Sequence, residues 1–258
     1  MTKELFIKDI MAKPVTIAKS AKVTEALDKM LDEGIDPLIA VHNTSVAGTV
    51  SRKAIAEKLG SKQNSGLTPT AIHVASVIDE DYTSIYPDQD INVLVPLLQR
   101  YKMVVVFDSD HKLIGQVGAG DLLKKVKPEG TADGVMEVAV TIEADERVVH
   151  LRRRMLDDNI TRFVVTENGK IIGIVTETDV AVAMRRFREA VTGKHQDHRI
   201  RNLLVKDIMS APVISIEPAA KAAEIVEMML KKNISSVPVA DKGRLIGMVT
   251  RRSLVNAL

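Results

Sequence analysis

The strongest constraint on this chain of 258 residues is a fourfold internal repeat. A hydroxyl residue followed by isoleucine occurs four times: Thr16-Ile17, Ser84-Ile85, Thr141-Ile142 and Ser215-Ile216. A glycine follows each isoleucine after 30 or 31 residues: Gly48, Gly115, Gly173 and Gly247. Such regular spacing is the mark of one supersecondary unit copied along a chain. The sequence therefore predicts four copies of a unit, each roughly 50–60 residues long.

Each copy has the pattern of a strand, a helix, two strands and a second helix. In repeat 1 the first helix carries apolar residues at helical spacing: Val23, Ala26, Leu27, Met30 and Leu31. The same face recurs in repeats 3 and 4: Val148, Leu151, Met155 and Leu156, then Ala222, Ile225, Val226 and Met229. Such spacing predicts one buried helix face. One copy is too small to hold a large core, so we expect the copies to pack in pairs within an α+β or α/β fold.

Polar stretches divide the chain into four predicted domains. Residues 61–70 separate the first two repeats, and residues 127–134 form the best boundary between the two halves, because both stretches contain Gly and Pro among polar residues. The predicted domains cover residues 1–60, 70–126, 134–190 and 203–258. We expect repeat 1 to pair with repeat 2, and repeat 3 to pair with repeat 4.

Composition excludes several classes of protein. The chain has no Cys, which excludes disulfides, thiolate zinc sites and a Cys nucleophile. It has no apolar run approaching the ~18 residues that span a bilayer, and Lys8 and Asp9 interrupt the N-terminal apolar stretch, so neither a membrane span nor a signal peptide is expected. A cytoplasmic location is expected. No nucleophile elbow or phosphate loop is present, and the chain is predicted not to be an enzyme.

Three short segments resemble the cystathionine-β-synthase (CBS) domain family. They are DIMAKPV at residues 9–15, GIVTETD at 173–179 and DIMSAPV at 207–213. The resemblance extends over almost the whole chain in four copies, with repeat 2 the most divergent. It implies two pseudo-symmetric pairs (Bateman modules) packed as a disc. It also implies clefts between the domains that bind an adenosine-containing ligand such as AMP, ADP, ATP or S-adenosylmethionine.

The resemblance further implies a ligand signature, Gly-x-x-(Thr/Ser)-x-x-Asp, where the last strand meets the second helix. Backbone N–H groups at a helix start favour an anion, and a carboxylate there can accept both hydroxyls of a ribose. Repeat 3 alone keeps the full signature, with Gly173, Thr176 and Asp179. We expect Asp179 to hold the ribose and Thr176 to contact a phosphate. A Thr-x-x-Asp at a helix start can instead be a capping box that only stabilises the helix.

The other three copies depart from the signature. Repeat 1 has Ala54 where the Asp belongs, and repeat 4 has Thr250 followed by Ser253. Repeat 2 keeps Asp121 but has Gly118 at the hydroxyl position. Repeat 3 is therefore the best predicted site and repeat 2 the second candidate, and Thr250 is a further candidate contact.

Other predicted contributors come from the same resemblance. In the family, the segment before the first helix and the second strand line the adenine pocket. In repeat 3 these residues are Ala139, Val140 and Thr141, followed by Thr161, Arg162, Phe163 and Val164. Arg162 could pair with a phosphate or be a solvated side chain. In repeat 4, Arg251 and Arg252 lie at the helix start and could reach a neighbouring cleft.

Two alternatives to a ligand-binding regulator stay open. The stretch 185–206 carries seven basic and two acidic residues, so it could be a solvated linker or a surface for nucleic acid or an acidic partner. The chain could also be a scaffold with vestigial sites. A homodimer and an unidentified protein target stay open as partners, and the sequence does not decide the oligomeric state. His195 and His198 lack a third ligand nearby, so no metal site is predicted.

Overall fold

The computed structural model describes residues 4–60, 69–190 and 202–258. Within these ranges, repeats 1 and 2 contain ten β-strands and α-helices: β1 (Thr16–Ala18), α1 (Val23–Asp32), β2 (Leu38–His42), β3 (Ser45–Val50), α2 (Arg52–Gly60), β4 (Thr83–Ile85), α3 (Leu94–Arg100), β5 (Met103–Phe107), β6 (Leu113–Gly118) and α4 (Ala119–Leu123). The second half contains α5 (Ala132–Val135), β7 (Thr141–Glu143), α6 (Val148–Asp157), β8 (Arg162–Glu167), β9 (Lys170–Thr176), α7 (Glu177–Ala190), α8 (Ala222–Lys231), β10 (Ser236–Asp241), β11 (Arg244–Thr250) and α9 (Arg251–Asn256).

Repeats 1, 2 and 3 each form a three-stranded sheet, which confirms the predicted unit. The first strand runs parallel to the second, and the second and third form an antiparallel hairpin. Each hairpin, including that of repeat 4, has a register shift next to the repeated glycine, as at Ala40 opposite Gly48. The mixed α and β content and the order of elements follow the sequence pattern.

Repeat 4 differs, because its predicted first strand is reduced to one parallel bridge between Ile216 and Val239. In repeats 1 and 3 the second strand donates a backbone N–H to the first segment, from Ile39 to Val15 O and from Val164 to Val140 O. The equivalent residue in repeat 4 is Pro238, which has no N–H. Pro218 likewise lacks the N–H that its equivalents Lys19 and Ala144 donate to the second strand, so the bridge cannot extend at either end.

The first helices bury the faces that their apolar spacing predicts. Val23, Ala26 and Met30 of α1 are fully buried, and all four predicted residues of α8 are buried. The outer positions Leu31 and Leu156 are only partly buried. The helices thus cover their sheets with the expected stripe of residues.

The segment preceding each repeat packs on the other repeat of its pair. We call these residues the lead-in segments: 5–12, 72–79, 131–137 and 203–210. Isolated antiparallel bridges fix all four exchanges: Ala12 with Gln116, Thr49 with Asp79, Glu137 with Met248, and Ile174 with Ser210. The exchange confirms that repeat 1 pairs with repeat 2 and that repeat 3 pairs with repeat 4.

The repeated glycine makes room for the exchanged lead-in segment. A Cβ on Gly173 would lie 2.6 Å from Met209 Sδ and 3.1 Å from Ser210 O. A Cβ on Gly48 would lie 2.3 Å from Asp79 O, and Gly48 also has φ of +142°. A side chain at this position would therefore push the lead-in segment off the sheet.

The two halves meet through helices in two different ways. Repeats 2 and 4 share one continuous apolar core, in which α9 packs on α3 and α4. Repeats 1 and 3 have separate cores, and α1 and α2 face α6 and α7 across polar contacts. The contacts link the repeats in the cyclic order 1, 2, 4, 3, while the disc shape stays a prediction.

Within the described ranges no helix has the length and apolar character needed to cross a membrane.

Candidate functional site

The predicted repeat-3 signature folds into a compact hydrogen-bonded unit at the junction of β9 and α7. The Thr176 backbone N–H donates to Asp179 Oδ2 at 2.8 Å, and Thr176 Oγ1 donates to the same oxygen at 2.6 Å. Strand β9 delivers Thr176 at its last residue, and the first turn of α7 returns Asp179 to it. The structure thus brings together the two residues that the sequence assigned to phosphate and ribose.

The second carboxylate oxygen of Asp179 faces the lead-in segment of repeat 4. Ser210 Oγ donates to Asp179 Oδ1 at 2.7 Å. Ser210 is exposed and Asp179 is partly buried, so this oxygen lies at the boundary between the two repeats and near solvent. Ser210 was not among the predicted site residues, because its proximity to Asp179 depends on tertiary packing and not on a local motif.

Equivalent hydrogen bonds occur in the other copies. In repeat 2 the Gly118 N–H donates to Asp121 Oδ2 at 3.0 Å, and Lys124 Nζ lies 3.0 Å from Asp121 Oδ1. In repeat 4, Thr250 and Ser253 cap each other through reciprocal 3.0 Å bonds. Asp179 and Asp121 therefore do cap their helices, as Thr-x-x-Asp at a helix start can. A ligand bound by either carboxylate would be bound in addition to this cap.

The residues predicted to line the adenine side of repeat 3 lie on adjacent strands, but their exposure differs. Val140 accepts from the Val164 N–H at 2.9 Å, so residues 139–141 run alongside β8. Thr141 is exposed and Ala139 is partly buried, whereas Phe163 and Val164 are fully buried in the interior. Thr250 of repeat 4 is 2% exposed and fully engaged in its cap. Phe163, Val164 and Thr250 therefore offer little surface to a ligand.

Arg162 is held at the edge of the repeat-3 sheet by neutral acceptors. Its Nε donates to Thr161 Oγ1 at 3.2 Å, and Nη1 donates to the Ser235 carbonyl of repeat 4 at 3.1 Å. Burial lowers the pKa of Arg162, while the charges of Glu137 and Glu177 oppose that shift. The guanidinium therefore retains a charge that no close carboxylate among the described residues neutralises.

Four charged residues from three repeats meet near this edge, and we call them the central charge cluster: Asp36, Arg52, Lys102 and Glu177. Lys102 Nζ lies 3.1 Å from Asp36 Oδ2 and 3.8 Å from Glu177 Oε2. Arg52 Nη1 lies 4.0 Å from Asp36 Oδ2. Burial raises the pKa of Glu177, and Lys102 opposes that rise. The cluster pairs two cations with two anions.

Sequence reasoning did not find this cluster. Aligning the repeats on their second strands would have placed Asp36 and Lys102 at one shared position, four residues before Ala40 and Val106. Aligning them on their glycines places Arg52 and Glu177 at another shared position, after the hydroxyl residue. The sequence thus contains both shared positions, but only the folded structure shows that the two positions lie close together.

A surface cleft of about 360 Å³ lies in repeat 1 at the position equivalent to the Asp179 region. Its lining includes Ala54, at the Asp position of the signature, and residues 76–79 of the exchanged lead-in segment. Glu57, on the next turn of α2, also lines it. The equivalent residues of repeat 3, Asp179 and Ser210, are joined by a hydrogen bond.

Residues 191–201 of the basic stretch 185–206 lie outside the described residues, and these include His195 and His198. In the described part, Arg185 Nη1 lies 2.6 Å from Asp32 Oδ1 of repeat 1. This contact directs part of the stretch toward another repeat. Within the part of the chain that the structure describes, no group of three or more His, Asp or Glu side chains could hold a metal ion.

Four segments of the chain match the CBS domain family model: residues 7–61, 74–128, 134–186 and 205–258. They account for most of the chain, so the protein belongs to the CBS domain family. The pairing of the repeats and the helix-start geometry described above agree with that assignment.

Among solved structures, protein MJ1225 of Methanocaldococcus jannaschii is similar, with a TM-score of 0.83 and 22% identity over 97% of this chain and 99% of that one. It is described as a candidate archaeal homolog of γ-AMPK. An uncharacterized conserved protein of Pyrococcus horikoshii has a TM-score of 0.65, 22% identity and coverage of 97% and 98%. Uncharacterized protein MJ1404 of M. jannaschii is 24% identical over 96% of this chain, which spans 61% of that protein.

Proposed function

We propose that this chain is a non-catalytic sensor that binds an adenosine-containing ligand, and that the repeat-3 cleft is its principal site. The observation that carries the proposal is the Asp179 carboxylate. One of its oxygens caps the helix, and the other is held only by the hydroxyl of exposed Ser210 among its described partners. The hydroxyls of a ribose can replace that one hydroxyl without loss of the cap.

The ligand class rests on the family resemblance and on one relative. Members of the family bind AMP, ADP, ATP or S-adenosylmethionine, and MJ1225 is described as a candidate homolog of γ-AMPK. Arg162 adds a cation that is bonded only to neutral oxygens at the same edge of the sheet. This charge favours a ligand that carries a phosphate.

The structure also suggests how binding would be transmitted. Asp179 belongs to repeat 3, and Ser210 belongs to the lead-in segment of repeat 4, so a ligand between them would contact both repeats of a pair. A ligand shifts an equilibrium between two arrangements only by its differential affinity for them. Occupancy would thus bias the geometry of the pair, which a homodimer partner or a protein target could detect.

The test is titration calorimetry of the full chain with AMP, ADP, ATP and S-adenosylmethionine, followed by Asp179→Ala with the tightest ligand. We expect affinity to fall roughly ten- to a hundredfold, since a buried charge-assisted hydrogen bond contributes roughly 1.5–3 kcal/mol and 1.4 kcal/mol is about one decade. Asp179→Asn keeps the shape and much of the cap but removes the charge, so it should also weaken binding.

The matched control is Asp9→Ala. Asp9 makes the same type of cap, accepting from the Phe6 N–H at 2.9 Å, but it belongs to the lead-in segment that packs on repeat 2. We expect this variant to lower the melting temperature and to leave affinity unchanged. Equal affinity in wild type and Asp179→Ala, with a lower melting temperature, would show that Asp179 is only a cap. Binding of none of the four ligands would favour the scaffold interpretation.

A further inference from the structure

The four residues Thr176, Glu177, Thr178 and Asp179, where β9 meets α7, divide into an outer and an inner pair. The outer two, Thr176 and Asp179, bond to each other, and Asp179 also accepts from Ser210 of repeat 4. The inner two, Glu177 and Thr178, contact side chains from the first half of the chain. The helix start that carries the candidate site is therefore held from both halves.

The contact on Thr178 comes from Arg52 of repeat 1. Nη1 of Arg52 donates to Thr178 Oγ1 at 3.2 Å, and Nη2 donates to the Met30 carbonyl of its own repeat at 3.1 Å. The Arg52 side chain is only 11% exposed, and Oδ2 of Asp36 lies 4.0 Å from Nη1. A planar guanidinium that is bonded on two sides is held in one orientation. Arg52 thus links the end of α1 in repeat 1 to the first turn of α7 in repeat 3.

The contact on Glu177 comes from Lys102 of repeat 2. Lys102 Nζ lies 3.8 Å from Glu177 Oε2 and 3.1 Å from Asp36 Oδ2, so one ammonium group joins repeats 1, 2 and 3. The Lys102 side chain is half exposed, and ion pairs of exposed side chains contribute little. Arg52 is the better shielded of the two cations, so its bond to Thr178 is the main link from the first half to this helix start.

The equivalent crossing between repeats 4 and 2 has no such bond. Arg251 occupies the position of Arg52, and Gly120 occupies the position of Thr178. Nη1 of Arg251 lies 3.1 Å from the point where a Cβ on Gly120 would stand, but glycine has no hydroxyl to accept from it. Among the described residues, a side-chain hydrogen bond from the other half therefore reaches the helix start that keeps the full signature, and none reaches that of repeat 2.

We propose that Arg52 is a positioning residue for the repeat-3 site and couples occupancy of that site to repeat 1, in the opposite half of the chain. The inference rests on the proposed function and deepens it. The role requires no contact with the ligand, because Arg52 holds Thr178, the residue before Asp179, and so keeps the Asp179 carboxylate in place. A site that is already in its binding geometry loses less free energy to ordering when it binds. Since coupling is reciprocal, a ligand at Asp179 strengthens the bond between Arg52 and Thr178.

The first test measures the affinity of the full chain for AMP by titration calorimetry, with ADP, ATP and S-adenosylmethionine titrated where AMP does not bind. The variant is Thr178→Val, which removes the hydroxyl of an exposed residue and keeps its shape. We expect affinity to fall roughly two- to tenfold, the range that one intramolecular hydrogen bond represents. Thr178→Ser retains a hydroxyl and should bind as wild type does.

A double-mutant cycle separates the bond from any direct effect of Thr178 on the ligand. Arg52→Met keeps the length of the side chain and removes its donors, so it should weaken binding by a similar factor. The double variant Arg52→Met with Thr178→Val should lose no more affinity than either single variant, because both changes remove the same bond. Losses that simply add would show that the two residues act independently and would overturn the inference.

The second test follows hydrogen exchange by mass spectrometry with and without AMP. In wild type, AMP should increase the protection of α2 in repeat 1 as well as that of α7 in repeat 3. In Thr178→Val the increase in α2 should disappear and the increase in α7 should remain. A purely structural role of Arg52 would lower the melting temperature without changing this ligand-dependent response.

The matched control is Lys53→Gln, which removes a cation from the residue after Arg52. Lys53 also crosses to repeat 3, where its Nζ donates to Asn159 Oδ1 at 2.6 Å, but Asn159 follows α6 and is not part of the signature. We expect affinity and the response of α2 to stay as in wild type. An equal loss in Lys53→Gln and Thr178→Val would mean that any loosening of the interface weakens binding, and the inference would fail.

The outcomes also separate the inference from the proposed function. If Asp179→Ala weakens binding while Thr178→Val and Arg52→Met bind as wild type does, the inference fails and the proposed function stands. If wild type binds none of the four compounds, both fail.

Discussion

Repeats 2 and 4 meet across an apolar interface, whereas repeats 1 and 3 meet across a polar one. In the first interface, 21 buried residues from both repeats and two lead-in segments form one core. In the second, the described contacts include Arg185 with Asp32 and Lys53 with Asn159. Four copies of one fold thus assemble by two kinds of contact that differ in energy and in sensitivity to salt.

The difference has a local origin in the first helices. At the equivalent position, six residues after Ile91 and Ala222, repeats 2 and 4 have Leu97 and Met228, which pack against the shared core. Repeats 1 and 3 have Lys29 and Arg154, whose side chains turn back to donate to Thr16 O and Thr141 O. The position is thus apolar in the two repeats that share a core and charged in the two that do not.

The largest expected effect comes from Leu254→Ala in the shared core. Leu254 is fully buried, and truncation of such a side chain costs about 2–5 kcal/mol. Since the core is continuous, we expect hydrogen exchange measured by mass spectrometry to rise in repeats 2 and 4 together. Leu151→Ala is the matched control, because Leu151 is equally buried in the core of repeat 3 alone. A rise confined to repeat 4 in the Leu254 variant would contradict a shared core.

A smaller and more local effect is expected from Gly48→Ala in repeat 1. The new Cβ would lie 2.3 Å from Asp79 O at a backbone conformation that disfavours a side chain, a cost of about 3 kcal/mol. The lead-in segment at residues 72–79 should lose hydrogen-exchange protection with repeat 1, and the core of repeats 2 and 4 should keep it. Gly134→Ala meets no atom within 4 Å and should change stability by less than about 0.5 kcal/mol. Uniform loss of protection across all four repeats would show that the polar interface couples them as tightly as the apolar one.

The smallest effect is expected from Arg185→Gln, which breaks the ion pair with Asp32 between repeats 3 and 1. An exposed pair of this kind contributes about 0.2–1 kcal/mol. Its loss should lower the melting temperature slightly at low ionic strength and not at high ionic strength. Arg186→Gln removes the same charge from an exposed neighbour and serves as the control. A salt-independent loss would mean that the packing of the side chain, and not its charge, matters at this interface.

Much of the fold could be predicted because the repeats carry local signals. The spacing of Val148, Leu151 and Met155 fixes a helix face, and Asn168-Gly169 marks the hairpin that follows. The exchange of lead-in segments was not predictable in this way, since it pairs residues such as Ile174 and Ser210 whose proximity depends on tertiary packing. The reduction of the first strand in repeat 4 depends in part on Pro238, which lies in another strand.

The candidate site likewise combines residues that a local motif predicts with residues that only tertiary packing brings together. Thr176 and Asp179 could be chosen from one short motif, because three residues of spacing at a helix start bring them together. The central charge cluster could not, since Asp36, Lys102 and Glu177 come from three different repeats. Thr250, Phe163 and Val164 were selected by position in the family pattern, and their burial became visible only in the packed structure.

The core shared by repeats 2 and 4 has a consequence for how the chain matures during synthesis. Leu94 and Leu122 emerge from the ribosome well over a hundred residues before Leu254, against whose helix they pack. Until then repeat 2 leaves this apolar face uncovered. Contacts between residues so far apart in sequence form late and slowly. The first half of the chain therefore completes its apolar core only when the second half folds against it.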